Sequence, residues 1–251
     1  VPMVSAIFAC MKTVVTEAVF GCCCNVLLVL VRNCPAAVAQ FVDDNSPRAI
    51  YDGLYKYKST EEVVGVACSL LHILLSDSAI GFNVLTLDDV MPMKDLMKAS
   101  WDLEQTLVRD DVLSMGLAGL DALGNRYREE EKPLKRLGAA EVVEEVVHSF
   151  AVHSAVHARM ALTALMFAAM TDKGKKSVVE KKGVQAEMEA IEEFAADKEV
   201  CSNGLSALAL MSEVGAAQKV VTKYGVSSIL SAMRRHKEEK EVQLYALKAL
   251  N

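Results

Sequence analysis

Residues 178–208 and 220–250 align without a gap at a constant offset of 42. A chain that repeats itself at that interval is committed to stacked units, each burying one face against the next. Val220-Val221 falls on Val178-Val179, Gly225 on Gly183, Glu241-Val242 on Glu199-Val200, and Leu247 and Leu250 on Leu205 and Leu208. An older copy lies upstream, with PLKRLG (133–138) in place of VVEKKG and ALTAL (161–165) in place of GLSAL.

The closing small-Leu-x-small-Leu block can be followed to the start of the chain. Its final leucine falls at Leu28, Leu71, Leu120, Leu165, Leu208 and Leu250, in steps of 43, 49, 45, 43 and 42. Eight residues earlier Val63, Val112, Val200 and Val242 recur, with Phe20 and His157 as exceptions. Four residues before the leucine the side chain is always small: Cys24, Ala67, Gly116, Ala161, Gly204, Ala246. These columns predict a long apolar helix closing each unit, its small slot letting a neighbouring helix approach closely.

An amphipathic helix precedes it. The pairs Val143/Val146, Met188/Ile191 and Leu230/Met233 sit at i, i+3, on one face. Gly138, Gly183 and Gly225 are expected to turn the chain sharply ahead of that helix. Upstream, SPRAIYDGLYKY and VMPMKDLMKASWDL occupy the same place by position. The long step places extra residues in a loop near Ser76–Asp89 or Trp101–Arg109.

A glycine opening one helix, an acidic-Val start to another, and A-L-x-A-L on this period resemble the armadillo repeat. GVSSILSAMRRHKEEKEVQLYALKALN is especially similar to the armadillo units of leucine-rich-repeat-kinase-like proteins. The HEAT repeat is the runner-up, its less glycine-dependent turn suiting residues 178–225 less well. The expected fold is all-α, a right-handed α-solenoid of about six armadillo-like repeats over residues 1–251, the last one truncated. The resemblance implies a concave groove lined by third helices and used to bind proteins.

Two residues after the leucine, where groove-lining family members place an asparagine, this chain has Leu30, Ile73, Ala122, Phe167 and Leu210. The peptide-clamping ladder is therefore not expected. Two residues before the leucine stand Val26, Ser69, Ala118, Thr163, Ser206 and Lys248, a small or apolar lining suited to a helix or another folded surface. Arg159, Thr163, Ser202, Ser206, Tyr245 and Lys248 are the candidate groove residues.

No catalytic residue, metal or cofactor is expected. HSAVH (153–157) has metal-compatible i, i+4 spacing but lacks the glutamate of HExxH and falls across a turn, as His236 does in the last copy. The lysines Lys173, Lys175, Lys176, Lys181 and Lys182 face the acidic series Glu187, Glu189, Glu192 and Glu193, a solvated surface with local pairing. Glu129–Glu131 and Glu144-Glu145 are assigned to polar faces and turns, and no phosphate loop, nucleophile elbow or CxxC is present.

A net charge of −6 gives no footprint for nucleic acid or for adsorption to an anionic membrane. The longest uncharged run, Ala18–Val31, has 14 residues, short of a membrane span. Five of seven cysteines crowd the first 34 residues, unlike a secreted disulfide framework, and point to a reducing, cytoplasmic compartment, with cytoskeletal association as the alternative. Within GCCCNVLLVL, adjacent helical residues diverge by about 100°, so three cysteines in a row cannot hold one metal. Cys24 belongs to the small core slot, leaving Cys22 or Cys23 exposed.

The sequence is thus read as a protein–protein interaction scaffold. Its alternative is a regulatory armadillo segment of a larger enzyme, such as a solenoid-fronted kinase. The last copy stops inside its third helix and the first opens on VPMVSAIFAC, so both ends are expected to be covered by further repeats or another subunit.

Overall fold

The computed structural model describes residues 2–13, 16–34, 46–57, 60–76 and 85–251; these form helices joined by turns and short connections, with no strand among the described residues. It divides into two compact units, Val1–Arg126 and Tyr127–Asn251.

The first unit contains α1 (Pro2–Met11), α2 (Glu17–Asn33), α3 (Ser46–Lys56), α4 (Glu61–Ser76), a 3-10 turn (Leu87–Asp89), α5 (Val90–Ser100) and α6 (Thr106–Arg126). The helices α2, α4 and α6 carry the leucine columns and stack side by side, while α3 packs on α4 and α5 on α6. Sequence caps fix the starts. The Thr16 hydroxyl accepts the Val19 N–H, and the Asp89 carboxylate accepts the N–H and hydroxyl of Thr86. Arg48 Nη1 reaches the same buried carboxylate at 2.7 Å, tying α3 to the entry of α5. Leu27, Ile50, Tyr51, Leu54, Leu70, Leu71 and Leu74 form the interior.

The second unit contains α7 (Glu131–Leu137), α8 (Ala140–Ser149), a 3-10 turn (Phe150–Val152), α9 (Ala155–Ala168), α10 (Asp172–Glu180), α11 (Gly183–Glu193), α12 (Lys198–Met211), α13 (Gly215–Val220), a π-helical stretch (Val221–Gly225), α14 (Val226–Arg235) and α15 (Lys240–Leu250). These form successive triplets whose third helices, α9, α12 and α15, pack together. Thr171 caps α10 by accepting the Gly174 N–H, and Asp197 caps α12 by accepting the N–H groups of Glu199 and Val200.

The small slot is buried in all six copies, Cys24, Ala67, Gly116, Ala161, Gly204 and Ala246. Its function is specific: a Cβ on Gly116 would lie 2.5 Å from Met97 Cγ, and one on Gly204 2.7 Å from Ile191 Cγ1. The apolar face of the preceding helix thus occupies the space that the missing side chain leaves. Val143, Val146, Met188 and Ile191 are buried as their spacing requires, but Leu230 is 37% exposed. Leu247 and Leu250 are likewise exposed, whereas their counterparts Leu205 and Leu208 are buried.

Gly138 stands at the break between α7 and α8 as expected, but the glycine turn is corrected at Gly183 and Gly225. Among the described residues no glycine takes a left-handed conformation; Lys182 (φ 61°) makes the reversal ahead of α11, and His153 (φ 50°) makes the one ahead of α9. Gly225 does not turn the chain at all, since the π-helical stretch carries it continuously from α13 into α14. The glycines answer to crowding instead. A Cβ on Gly183 would lie 2.7 Å from Val178 Cγ1, and one on Gly225 2.3 Å from Met188 Sδ.

The long step is also corrected in part. Thr106–Arg109, assigned to a loop, is an added N-terminal turn of α6, which runs for 21 residues. Residues 77–84 of the other proposed segment lie outside the described residues.

Candidate functional site

Polar residues gather along one side of α9, α12 and α15. Arg159 and Thr163 stand one turn apart on α9, Ser202 and Ser206 on α12, and Tyr245 and Lys248 follow on α15; all are half-exposed except Lys248, which is exposed. Contacts run from each helix to the next. The Arg159 guanidinium pairs with Glu199 and lies 3.8 Å from Asp197. Asn203 Nδ2 donates to Thr163 Oγ1 at 3.0 Å, and Ser202 Oγ donates to Glu241 Oε2 at 3.4 Å. Ser206 Oγ contacts Met166 Sδ at 3.5 Å, and the Lys248 ammonium lies 5.8 Å from the Tyr245 ring centre.

The structure therefore brings the six candidates onto three adjacent helices and adds Glu199, Glu241 and Asn203, which sequence reasoning missed. A signal was present: nine residues before the leucine four of the six copies are acidic, Glu62, Asp111, Glu199 and Glu241, with Val19 and Val156 in the other two. The asparagine-ladder column is not open to solvent in the middle copies, since Ala122 and Phe167 are buried.

The first unit has its own concavity, a cleft of about 530 Å³ between α2 and α4, lined by Glu17, Gly21, Cys22, Asn25, Glu62 and Val66 among others. The Thr60 N–H donates to Glu17 Oε1 at 3.0 Å at one end. On the neighbouring helix, burial raises the Asp111 carboxyl, an effect opposed by a hydrogen bond from Ser69 and by the nearby Arg32 and His72.

His153 and His157 do not converge. His153, exposed in its turn, lies 3.0 Å from Glu193, while His157 is buried in α9. No group of three or more His, Cys, Asp or Glu among the described residues is placed to hold a metal ion. Among the described residues, no helix is long and apolar enough to cross a membrane.

The acidic series is corrected. Lys181 pairs with Glu144 at 2.7 Å and Lys176 with Glu180 at 3.8 Å, not with residues 187–193. Glu189 accepts from Gln185, Glu192 from Ser228, and Glu193 faces His153. Glu187 and Glu145 are buried rather than set on polar faces. Cys22 is exposed, Cys23 half-buried and Cys24 buried, its thiol pushed up to about 12 by burial.

No protein-family model matches the chain, and no curated protein matches it. The fold does match solved structures. A designed armadillo repeat protein aligns with 98% of this chain and 97% of its own at a TM-score of 0.66 and 12% identity. Two engineered proteins align with 98% of this chain at 19% identity, with TM-scores of 0.68 and 0.70 and 94% and 57% of their own lengths covered. The fold is that of an armadillo-type α-solenoid.

Proposed function

We propose that the chain is a non-catalytic interaction module that binds a folded surface or helix of a partner protein through the face of its third helices. Arg159, Thr163, Ser202, Ser206, Tyr245 and Lys248 are the contact residues. The observation that carries this reading is the register of half-exposed polar positions on α9, α12 and α15, cross-linked by hydrogen bonds from helix to helix. A face held this way loses little side-chain freedom when a partner docks. Its mixture of Arg, Tyr, Ser and Thr suits a polar, well-oriented contact better than a purely apolar one.

The experiment is affinity purification with mass spectrometry, comparing wild type with Arg159→Glu/Lys248→Glu. The expected result is loss of a defined set of partners, with the helical content and melting of the variant retained. An unchanged partner set from the folded variant overturns the assignment.

A further inference from the structure

The second unit ends on an apolar face. Leu230 on α14 and Leu244, Leu247 and Leu250 on α15 are exposed, with Tyr224 and Val226 beside them. One copy earlier Met188, Leu205 and Leu208 stand in the places of Leu230, Leu247 and Leu250, and they are buried where the π-helical stretch, α14 and α15 lie over α11 and α12. The first unit opens on the other half of such a contact. Its first third helix, α2, exposes Val19, Val26 and Val29, and α1 has no charged residue and exposes Met3, Ala6 and Ala9. A solvated solenoid end is polar; these two faces are not.

The contacts between third helices fix a register. The residue six before the closing leucine touches the residue nine before it in the following copy, Arg159 with Glu199 and Ser202 with Glu241. Likewise Ser206, two before its leucine, touches Met166, one after the leucine of the preceding copy. Val19 and Val26 stand in the columns of Glu199 and Ser206, which face the preceding copy. Leu244 stands in the column of Arg159 and Ser202, which faces the following one. Where the internal pairs are polar, Leu244 and Val19 are both apolar, and they are 50% and 41% exposed. Each therefore supplies what the other lacks.

We propose that copies of this chain associate head to tail, the α14–α15 face of one seated on the α1–α2 face of the next, with Leu244 against Val19. The contact continues the packing of third helix on third helix that already joins α9 to α12 and α12 to α15. Charge permits it. The helices α1 and α2 carry one acid, Glu17, and one base, Arg32, so exposed Arg234 and Lys240 beside the other face meet no cluster of like charge. The contact is heterologous, and every docking leaves one face of each kind free for a further copy.

The test is sedimentation velocity of the reduced, purified chain alone, so its outcome is separate from that of the partner-binding reading. The weight-average sedimentation coefficient should rise with concentration between about 1 and 100 μM. Val26→Glu and Leu247→Glu, both at exposed positions, each place a charge inside the contact and should sediment as monomers with unchanged circular dichroism. Mixed in equal amounts they should form a heterodimer and nothing larger, since each keeps the face that the other has lost. Leu244→Arg/Val19→Glu in one chain, which recreates the residue types of Arg159 and Glu199, should associate where either single substitution does not. Wild type, the mixture or this double variant remaining monomeric at about 100 μM overturns the proposal. Association abolished by Leu247→Glu but untouched by Val26→Glu overturns it too, and identifies a twofold pairing of two α15 faces.

Discussion

Gly138 and Gly174 meet backbone to backbone: a Cβ on Gly138 would lie 2.7 Å from the Gly174 Cα. Gly174 has still less room, its own Cβ position falling 1.8 Å from the Ala168 carbonyl oxygen. A backbone carbonyl cannot swing aside as a side-chain tip can. Gly174→Ala is therefore expected to displace the start of α10 from the end of α9, at a cost of about 2–4 kcal/mol. Gly215, with nothing within 4 Å of its Cβ position, is the control. Gly215→Ala should change stability by no more than about 0.5 kcal/mol. Urea melts of both variants check the contrast; equal midpoints would refute the close approach.

Thiol reactivity should follow burial. In the reduced protein Cys10, Cys22 and Cys34 are exposed, while Cys24, Cys68 and Cys201 are buried. Burial pushes Cys24 up to about 12 and Cys201 up to about 11, and raises Cys68 as well. At pH 8 a chromogenic disulfide reagent should label the exposed three rapidly and reach the buried three only on unfolding. Rapid labelling of Cys24 would show that the small slot of the first copy is open.

The repeating part of the molecule was legible because each requirement is imposed several times. The small slot is demanded by one packing geometry in every copy, and the sequence meets it six times. Contacts that differ from copy to copy were not legible, even at a repeated position. Gly183 and Gly225 looked like turn glycines, yet Val178 and Met188 fill the space beside them, and sequence spacing does not report such contacts. The candidate face was half visible. Its residues stand at fixed offsets from the leucines, but Glu199 and Glu241 read as ordinary solvated acids until Arg159 and Ser202 are seen across the interhelical gap.

That gap makes a measurable pair. Arg159 and Glu199 are partly solvated, so their attraction is modest. A double-mutant cycle of Arg159→Ala and Glu199→Gln should give a coupling of about 0.3–1 kcal/mol, falling as salt is raised. A coupling of zero at low salt would mean that the two side chains do not form the interhelical contact in solution.

Glu187 occupies a position that is Val142 and Ile229 in the flanking copies, four residues after the glycine. It is completely buried, neither oxygen has a hydrogen-bond partner, and burial alone raises its carboxyl well above the usual 4.5. A carboxyl whose folded value is raised favours the native state only in its protonated form. Its contribution is fully present below the unfolded value near 4.5 and is lost as pH climbs through the folded one. Native Glu187 thus costs stability at neutral pH, and Glu187→Ile, which restores the residue type of the last copy, is expected to gain about 1–3 kcal/mol at pH 7. The gain should shrink as pH is lowered toward 4.5, where the wild-type side chain is neutral. Melting curves of wild type and variant from pH 4.5 to 8 test this directly. A pH-independent difference would place the charge in contact with water, and a loss of stability at pH 7 would show that the carboxylate has a partner.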